Sequence, residues 1–411
     1  MKPSLEQWLE RILALHPTEI DMGLARIQDV AKRLGISANV PVITVAGTNG
    51  KGSTVALINA LASSTGARVG VYTSPHILRF NERIRIAGAL VDDVALCRAF
   101  DAVEAARAEV SLTFFEFTTL AALWLFQEAD LDLWVLEVGL GGRLDAVNII
   151  APSVALVTSI SLDHTDWLGD DLDYIAAEKA GIARASKPLL YGMKTVPESV
   201  LTLVESKGAT LEVMGSSFGA DQQTLWWQQG GSRHSFPVAN PIPLGEDNTA
   251  MAVQALAHVN FLPATTSIAK IAESAMLPGR SQYFYYQQRH WYLDVGHNPA
   301  AIERFFARLP KSTGKTFGVC AMLLDKSTDT LSQQAHQASH WYLADLAVPR
   351  GGSAQRLSDA LSGKAPNSCH ASVQDALASA LEHSEPEDTI VVLGSFYTVA
   401  EAESYLGGKV S

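Results

Sequence analysis

The segment from Val42 to Thr54 constrains the fold of this chain more than any other. It reads Val-Ile-Thr-Val-Ala-Gly-Thr-Asn-Gly-Lys-Gly-Ser-Thr, an apolar strand pattern followed by a glycine-rich turn, a lysine, two hydroxyls and a helical pattern. Gly47, Gly50 and Gly52 allow backbone N–H groups to converge on anionic oxygens, and the N-terminus of the following helix adds the positive end of its dipole. With the charge of Lys51, the segment predicts a phosphate-binding turn between a buried strand and a helix.

The spacing of this turn departs from the strict P-loop pattern G-x4-G-K-[ST]. The first glycine position is Val45, and Gly52 separates Lys51 from Ser53. The alternative is a glycine turn between a core strand and its crossover helix, which needs no ligand. One glycine would satisfy that alternative, whereas three glycines around a lysine favour a nucleotide triphosphate as the ligand.

Length and composition set further limits. A chain of 411 residues exceeds the size at which single cores stop growing, so two domains are expected. With 47% apolar and 18% charged residues, the composition is typical of globular proteins. The formal net charge of −12 argues against a nucleic-acid-binding protein, which would need clustered Lys and Arg.

The location of the protein can also be predicted. The first helical pattern carries charges within its apolar periodicity, unlike a signal peptide, and no run approaches the roughly 18 apolar residues of a membrane span. The three cysteines, Cys97, Cys320 and Cys369, are widely separated and odd in number, so no disulfide framework is expected. The sequence therefore predicts a cytoplasmic protein without a membrane partner.

Strand-like apolar runs alternate with amphipathic helical patterns through the first half of the chain. This rhythm predicts a mainly parallel sheet covered by helices, with ligand groups at the carboxyl ends of the strands. The predicted strands are Val40–Ala46, Arg68–Thr73, Leu133–Val138, Ser153–Ile160 and Pro188–Tyr191.

The second half shows a change of pattern and then a second α/β block. Residues 209–243 favour an antiparallel hairpin or small β-subdomain, in which Trp226 and Trp227 are expected to pack. The second block has strand-like runs at Trp291–Val295, Thr316–Met322, Ser339–Leu343 and Thr389–Leu393. We predict a P-loop ATPase-like α/β domain with this antiparallel subdomain at residues 1–283, and a Rossmann-like α/β domain at residues 288–411.

Three polar positions near strand ends or on helices are candidates for chemistry. Glu137 ends a buried apolar run, where a carboxylate is costly unless it binds a metal or an ion-pair partner such as Arg143. His164 follows another strand, but its residue type alone would not select it for Mg²⁺, which prefers oxygen ligands. Lys179 lies in a helical pattern, and its alternative role is a salt bridge.

Taken together, nine motifs resemble the folylpolyglutamate synthase and dihydrofolate synthase family of the Mur ligase superfamily, most closely its bacterial bifunctional members. They span most of the chain in family order. The motifs are Ala46-Gly-Thr-Asn-Gly-Lys-Gly-Ser-Thr54, Thr73-Ser-Pro-His76, Phe80-Asn-Glu-Arg83, Phe115-Glu-Phe117, Glu137-Val-Gly-Leu-Gly-Gly-Arg-Leu-Asp145, Leu162-Asp-His-Thr165, Glu178-Lys-Ala-Gly181, Leu277-Pro-Gly-Arg280 and Asp294-Val-Gly-His-Asn-Pro299.

The resemblance implies a set of site residues. Ser74, Glu137 and His164 would bind Mg²⁺, with two metal sites expected. Lys179 would be carbamylated. The implied catalytic residues are Lys51, Lys179 and His297. Arg280 and Asp294 would approach the nucleotide from opposite sides of the domain junction. The implied ATP-binding residues are Gly47, Thr48, Asn49, Gly50, Lys51, Gly52, Ser53, Thr54, Asn248, Arg280 and Asp294. The implied pterin-binding residues are Asp21, Met22, Gly23, Leu24, Thr113, Phe114, Phe115, Glu116, Leu144, Asp145 and Ala146.

The same resemblance implies the activity. The chain would be a monomeric ATP-dependent ligase that adds L-glutamate to dihydropteroate and to tetrahydrofolates through an acyl phosphate; a K⁺ requirement stays open. Three alternatives share the glycine-rich turn: a P-loop kinase or ATPase, a Mur-type cell-wall amino-acid ligase, and a nucleotide-binding regulator without turnover. The segment Phe114-Phe-Glu-Phe117 favours a pterin over a nucleotide-sugar peptide.

Overall fold

The computed structural model describes residues 3–163, 167, 169–221 and 223–407. Its contacts divide the chain into two compact units, Met1–Ala275 and Met276–Ser411. The division, between Ala275 and Met276, lies on the N-terminal side of the boundary expected from the sequence between residues 283 and 288. Strand Gln282–Tyr286 pairs antiparallel with Arg289–Leu293 and therefore belongs to the second unit.

An eight-stranded sheet forms the centre of the first unit. Six strands, β1, β2 and β5–β8, run parallel, and β3 and β4 are attached antiparallel at one edge. The spatial order is β4-β3-β2-β5-β1-β6-β7-β8. The strands are β1 Val42–Ala46, β2 Val69–Tyr72, β3 Ile84–Ile86, β4 Ala89–Leu90, β5 Leu133–Glu137, β6 Val154–Val157, β7 Pro188–Tyr191 and β8 Thr210–Val213.

The central strands are continuous apolar runs because both faces of the sheet are covered. Every residue of β1, β2, β5 and β6 is buried, as expected for a parallel sheet between helices. The helices of this unit are α1 Leu5–Leu13, α2 Ala25–Arg33, α3 Lys51–Ser63, α4 Asp93–Arg107, α5 Phe114–Glu128, α6 Leu172–Ala180, α7 Glu198–Lys207, α8 Glu246–Val259 and α9 Thr265–Ser274, with 3-10 turns at Phe80–Arg83 and Ala146–Ile149.

The predicted antiparallel subdomain is present as a three-stranded sheet. Its strands are β9 Phe218–Asp221, β10 Thr224–Gln229 and β11 Ser232–Pro237, in the order β11-β10-β9. Trp226 and Trp227 on β10 are 4% and 1% exposed, which confirms that they pack. The prediction was wrong for residues 210–213, because β8 pairs in parallel with β7 and extends the main sheet.

The second unit contains a six-stranded sheet with the order β12-β13-β17-β14-β15-β16, parallel except for the β12–β13 hairpin. The mixed α/β fold class predicted from the sequence is confirmed. The strands are β12 Gln282–Tyr286, β13 Arg289–Leu293, β14 Thr316–Cys320, β15 His340–Ala344, β16 Asn367–His370 and β17 Thr389–Leu393. The helices are α10 Pro299–Arg308, α11 Asp329–Gln333, α12 Ala354–Leu361, α13 Val373–His383 and α14 Phe396–Tyr405, with a 3-10 turn at Ala335–Gln337.

Candidate active site

The glycine-rich turn connects β1 directly to α3. Gly47 has φ +141° and Gly50 has φ +91°, conformations that side chains with a Cβ rarely adopt. The Nζ of Lys51 donates to the carbonyl oxygens of Gly47 at 2.9 Å and Thr48 at 3.2 Å. The lysine charge is therefore held over the turn, beside the N-terminus of α3, where an anion is favoured.

The segment that follows β6 holds this turn in place. The backbone N–H of Thr48 donates to Ser159 O at 2.7 Å, and the N–H of Asn49 donates to Ser159 Oγ at 3.1 Å. The hydroxyl of Thr158 donates to Asn49 O at 2.7 Å. A Cβ on Gly47 would lie 1.9 Å from Thr158 Oγ1, so only glycine fits there. This support was not predicted from the sequence, although the Thr-Ser-Ile-Ser run at the end of the predicted strand Ser153–Ile160 was a signal for it.

Helix α8 also reaches the turn. A Cβ on Gly50 would lie 2.7 Å from Asn248 Oδ1, and Asn248 Nδ2 donates to Leu244 O at 2.6 Å. The structure thus brings Asn248 to the predicted phosphate-binding turn. Ser53 and Thr54, which follow Gly52 in the first turn of α3, are buried.

Glu137 lies at the carboxyl end of β5, beside the turn, because β1 and β5 are adjacent and Val45 is in register with Glu137. Its side chain is 4% exposed, and its Oε2 accepts from Ser74 N at 3.3 Å. Arg143, the alternative partner, instead contacts Glu178 at 2.6 Å. A buried carboxylate next to a serine offers the oxygen ligands that Mg²⁺ prefers, so these residues fit a divalent cation.

The third predicted metal ligand, His164, lies outside the described residues. Within the described part of the chain, no three His, Cys, Asp or Glu side chains cluster as a metal site. The same part contains no helix of the length and apolarity that a membrane crossing requires.

Lys179 is 5% exposed at the end of α6. Its pKa is lowered to about 7, mainly by burial and also by the charge of Lys51, and Asp163, Asp145 and Glu178 oppose this shift. Its neighbour in the chain, Glu178, is paired with Arg143. Near neutral pH, the amine of a buried lysine with such a pKa is therefore partly uncharged.

Asp145 organises the loop that follows β5. Its Oδ2 accepts from the N–H groups of Gly139 at 3.0 Å and Leu140 at 2.9 Å, and its Oδ1 accepts from Val147 N at 3.0 Å. Burial nevertheless raises its pKa to about 6. Leu144 is half-buried and Ala146 is buried on either side of this carboxylate.

The predicted pterin-binding residues of α5 and of the segment before α2 lie near one another. Thr113 and Glu116 form a capping box at the start of α5. Arg26 contacts both Asp21, at 2.6 Å, and Glu116, at 3.3 Å. The segment before α2 also contains Met22, Gly23 and Leu24, all half-buried.

Two aromatic residues of α5 line the same end of the sheet. Phe115 stacks on Tyr72 with ring centroids 6.0 Å apart, and a Cβ on Gly139 would meet the Phe115 ring at 2.6 Å. Phe114 lies 5.5 Å from the guanidinium of Arg83. The glycine at position 139 is therefore needed for close approach of the Phe115 ring.

In the second unit, Arg280, Asp294 and His297 lie together. Asp294 accepts from the N–H groups of Ser281 at 2.8 Å and Gly296 at 2.7 Å. Burial raises the pKa of Asp294, and the nearby Arg280 opposes this shift. The expectation that Arg280 and Asp294 lie on opposite sides of the domain junction was wrong, because both belong to Met276–Ser411.

Comparisons with known proteins agree with this architecture. The Mur ligase middle domain family matches residues 45–235, and the Mur ligase glutamate ligase domain family matches residues 279–396. The dihydrofolate synthase/folylpolyglutamate synthase of Escherichia coli K12 is 41% identical over 99% of this chain and 96% of its own length. This chain belongs to the dihydrofolate synthase/folylpolyglutamate synthase family. It is accordingly an ATP-dependent ligase of folate metabolism.

Other members of the family are similar across nearly their full length. The Haemophilus influenzae enzyme of the same name is 38% identical over 97% of this chain and 96% of its own length. A solved structure of E. coli FolC in complex with DHPP and ADP superimposes with a TM-score of 0.93, at 39% identity, over 100% of this chain and 99% of the other. A solved bifunctional folylpolyglutamate synthase/dihydrofolate synthase with Mn, AMPPNP and L-glutamate bound has a TM-score of 0.90, at 40% identity, over 99% and 100%.

Proposed function

We propose that this member of the dihydrofolate synthase/folylpolyglutamate synthase family joins L-glutamate to dihydropteroate and to tetrahydrofolates, using ATP and two Mg²⁺ ions, as a cytoplasmic monomer. The observation that carries the proposal is the turn at Gly47–Thr54, with Lys51 above it, Asn248 against Gly50 and the buried Glu137 beside it. The solved relatives that hold ADP, AMPPNP, Mn and L-glutamate support it.

The chemistry follows from the poor reactivity of a carboxylate toward amines. Direct attack by an amine would have to expel oxide, so the acceptor carboxylate first attacks the γ-phosphate of ATP and becomes an acyl phosphate, with ADP released. The α-amine of glutamate then attacks the acyl carbon, the C–O bond to phosphate breaks, the amine loses a proton, and inorganic phosphate leaves. The chain contributes mainly positioning and neutralisation of charge.

Each proposed residue has a defined task. The N–H groups of the turn and Lys51 would bind the phosphates, and Asn248, Arg280 and Asp294 would contact the nucleotide. Ser74, Glu137 and His164 would hold Mg²⁺, which supplies charge neutralisation on the phosphate oxygens. His297, proposed as a catalytic residue, has Nδ1 2.9 Å from Val295 O, a contact that orients its ring.

The test of this proposal is ADP release by the purified chain with ATP, Mg²⁺ and L-glutamate, with and without an acceptor. We expect release to require both glutamate and either dihydropteroate or tetrahydrofolate, and to stop when EDTA removes the metal. ADP release without glutamate would instead indicate a kinase or ATPase. Activity that ignores both pterin acceptors would indicate a cell-wall type of ligase.

Lys179 provides a second test, because we propose that its amine reacts with CO₂ to form a carbamate. We expect Lys179→Ala to lower kcat by roughly ten- to a hundredfold, and added formate or acetate to restore part of it. The exposed Lys187→Ala variant should keep its activity and show no response to these acids. A Lys179→Ala variant that short carboxylates do not rescue would contradict the carbamate.

The pH dependence of the modification follows from the lowered pKa. Only the neutral amine adds CO₂, and the pKa of Lys179 is lowered to about 7 by burial. In metal-free protein, incorporation of ¹³CO₂ measured by NMR should therefore increase as the pH rises through about 7 and disappear in more acidic buffer. A label that is independent of pH across this window would be inconsistent with a carbamate on Lys179.

A further inference from the structure

The segment between α1 and α2, residues 14–24, carries four of the residues proposed to bind the pterin, Asp21 to Leu24. It forms neither helix nor strand, so its conformation depends on what its side chains contact. We call this segment the α1–α2 loop. Two side chains, Arg26 and His16, connect it to α5 and to the residues just before α5.

Arg26, in the first turn of α2, contacts the loop through two atoms. Its Nη1 donates to Asp21 Oδ2 at 2.6 Å, and its Nη2 donates to the backbone oxygen of Asp21 at 2.9 Å. The planar guanidinium therefore donates to the side chain and to the main chain of one loop residue at the same time. A lysine could not reproduce this pair of hydrogen bonds.

The same guanidinium reaches the start of α5. Arg26 Nη2 lies 3.3 Å from Glu116 Oε1, and the Glu116 side chain is only 5% exposed. The other carboxylate oxygen, Oε2, accepts from Thr113 N at 2.8 Å in the capping box. Arg26 is thus a countercharge for a buried carboxylate and a bridge between the loop and α5. A carboxylate this buried would be costly without it.

His16 makes a second attachment between the same two regions. Its Nε2 lies 3.2 Å from Asp21 Oδ2, and its Nδ1 lies 2.7 Å from Ser111 Oγ. The hydroxyl of Ser111 in turn lies 3.1 Å from Leu15 O. Asp21 is therefore held between Arg26 and His16, and both lead to the segment that precedes or begins α5.

We infer that Arg26 is a positioning residue that fixes the α1–α2 loop against α5 and so sets the geometry of the acceptor site. The inference rests on the proposed function, since it assumes that Asp21–Leu24 and Thr113–Glu116 face the pterin. Without the guanidinium, the loop loses its direct contact with α5 and keeps the attachment of His16 to Ser111, while the ATP turn after β1 keeps its own contacts. Loss of Arg26 should therefore weaken binding of the acceptor and leave binding of ATP nearly unchanged.

The test compares three arginine variants by steady-state kinetics with dihydropteroate, ATP and glutamate each varied in turn. Arg26→Gln should raise the KM for dihydropteroate by roughly ten- to a hundredfold, with the KM for ATP changed less than about twofold. Arg26→Lys keeps the charge but not the planar fork, and should give an intermediate KM. The matched control is Arg33→Gln on the same helix, whose guanidinium contacts Asp29 and the carbonyl oxygens of Ala106 and Arg107, and whose KM for dihydropteroate should stay at the wild-type value.

Thermal unfolding of the same variants separates positioning from simple stabilisation. A lower melting temperature with an unchanged KM for dihydropteroate, or equal increases in the KM for dihydropteroate and for ATP, would overturn the inference. If Arg26→Gln does not fold, the Arg26→Lys variant decides by the same criterion. Failure of the proposed function would look different, because the wild-type chain itself would then show no release of ADP that depends on glutamate and pterin.

Discussion

Replacing Lys51 with alanine is expected to lower kcat/KM for amide formation by about a thousandfold. The Nζ of Lys51 is held at the turn by the oxygens of Gly47 and Thr48, so its charge is already placed where the phosphates are proposed to bind. Removing it leaves the developing negative charge of phosphoryl transfer without this fixed cation. The measurement is glutamate-dependent ADP release with dihydropteroate, together with AMPPNP binding by calorimetry.

A matched lysine variant shows that the loss is specific. Lys32→Ala removes an exposed lysine from α2, and its activity should equal that of the wild type. The Nζ of Lys51 donates to carbonyl oxygens of its own turn, and we expect the variant to keep the fold, which its thermal unfolding beside that of Lys32→Ala would show. Near-wild-type turnover of Lys51→Ala would disprove the role assigned to the turn.

Gly47→Ala is expected to have the second-largest effect, through the backbone. The added Cβ would lie 1.9 Å from Thr158 Oγ1 at a residue whose φ is +141°. Thr158 would have to move, which breaks its bond to Asn49 O and weakens the attachment of the turn to the segment after β6. We expect a loss of about 3 kcal/mol in the free energy of unfolding, and no measurable binding of AMPPNP.

Gly66→Ala separates the conformational strain from the steric overlap. Gly66 also has a positive φ, +90°, but a Cβ there would meet nothing within 4 Å. This control should lower the free energy of unfolding by only about 1 kcal/mol and leave nucleotide binding intact. Adding Thr158→Ala to Gly47→Ala removes the overlapping oxygen and should recover part of the lost stability. Equal losses in the free energy of unfolding for Gly47→Ala and Gly66→Ala would show that overlap with Thr158 does not contribute to the effect.

The sequence predicted what depends on local pattern. The apolar runs identified β1, β2, β5, β6 and β7, because strands buried on both faces of a sheet are apolar throughout. Strands β12 and β16 were missed, since Gln282–Tyr286 alternates in burial and Asn367–His370 lies at a half-exposed edge. Residues 210–213 were assigned to the wrong sheet, because pairing with β7 is a long-range choice that no local pattern encodes.

The candidate site shows the same division between local and long-range information. The turn with Lys51 and the buried Glu137 could be identified from residue types next to strand ends. The contact of Gly50 with Asn248 and the bridge from Asp21 through Arg26 to Glu116 could not, because each joins segments far apart in the chain. Binding of a ligand by Asp145 stays a prediction, whereas the structure shows that its oxygens accept from backbone N–H groups of its own loop, which no local pattern indicated.

The order of strands in the first sheet has a consequence for synthesis of the chain. On the ribosome, Val42–Ala46 emerges well before Leu133–Glu137 and Val154–Val157, which become its two neighbours. An apolar strand without partners on either edge is a template for pairing with other chains. Until Val157 has left the exit tunnel, the nascent protein is therefore prone to aggregation, and a chaperone that binds nascent chains would protect it.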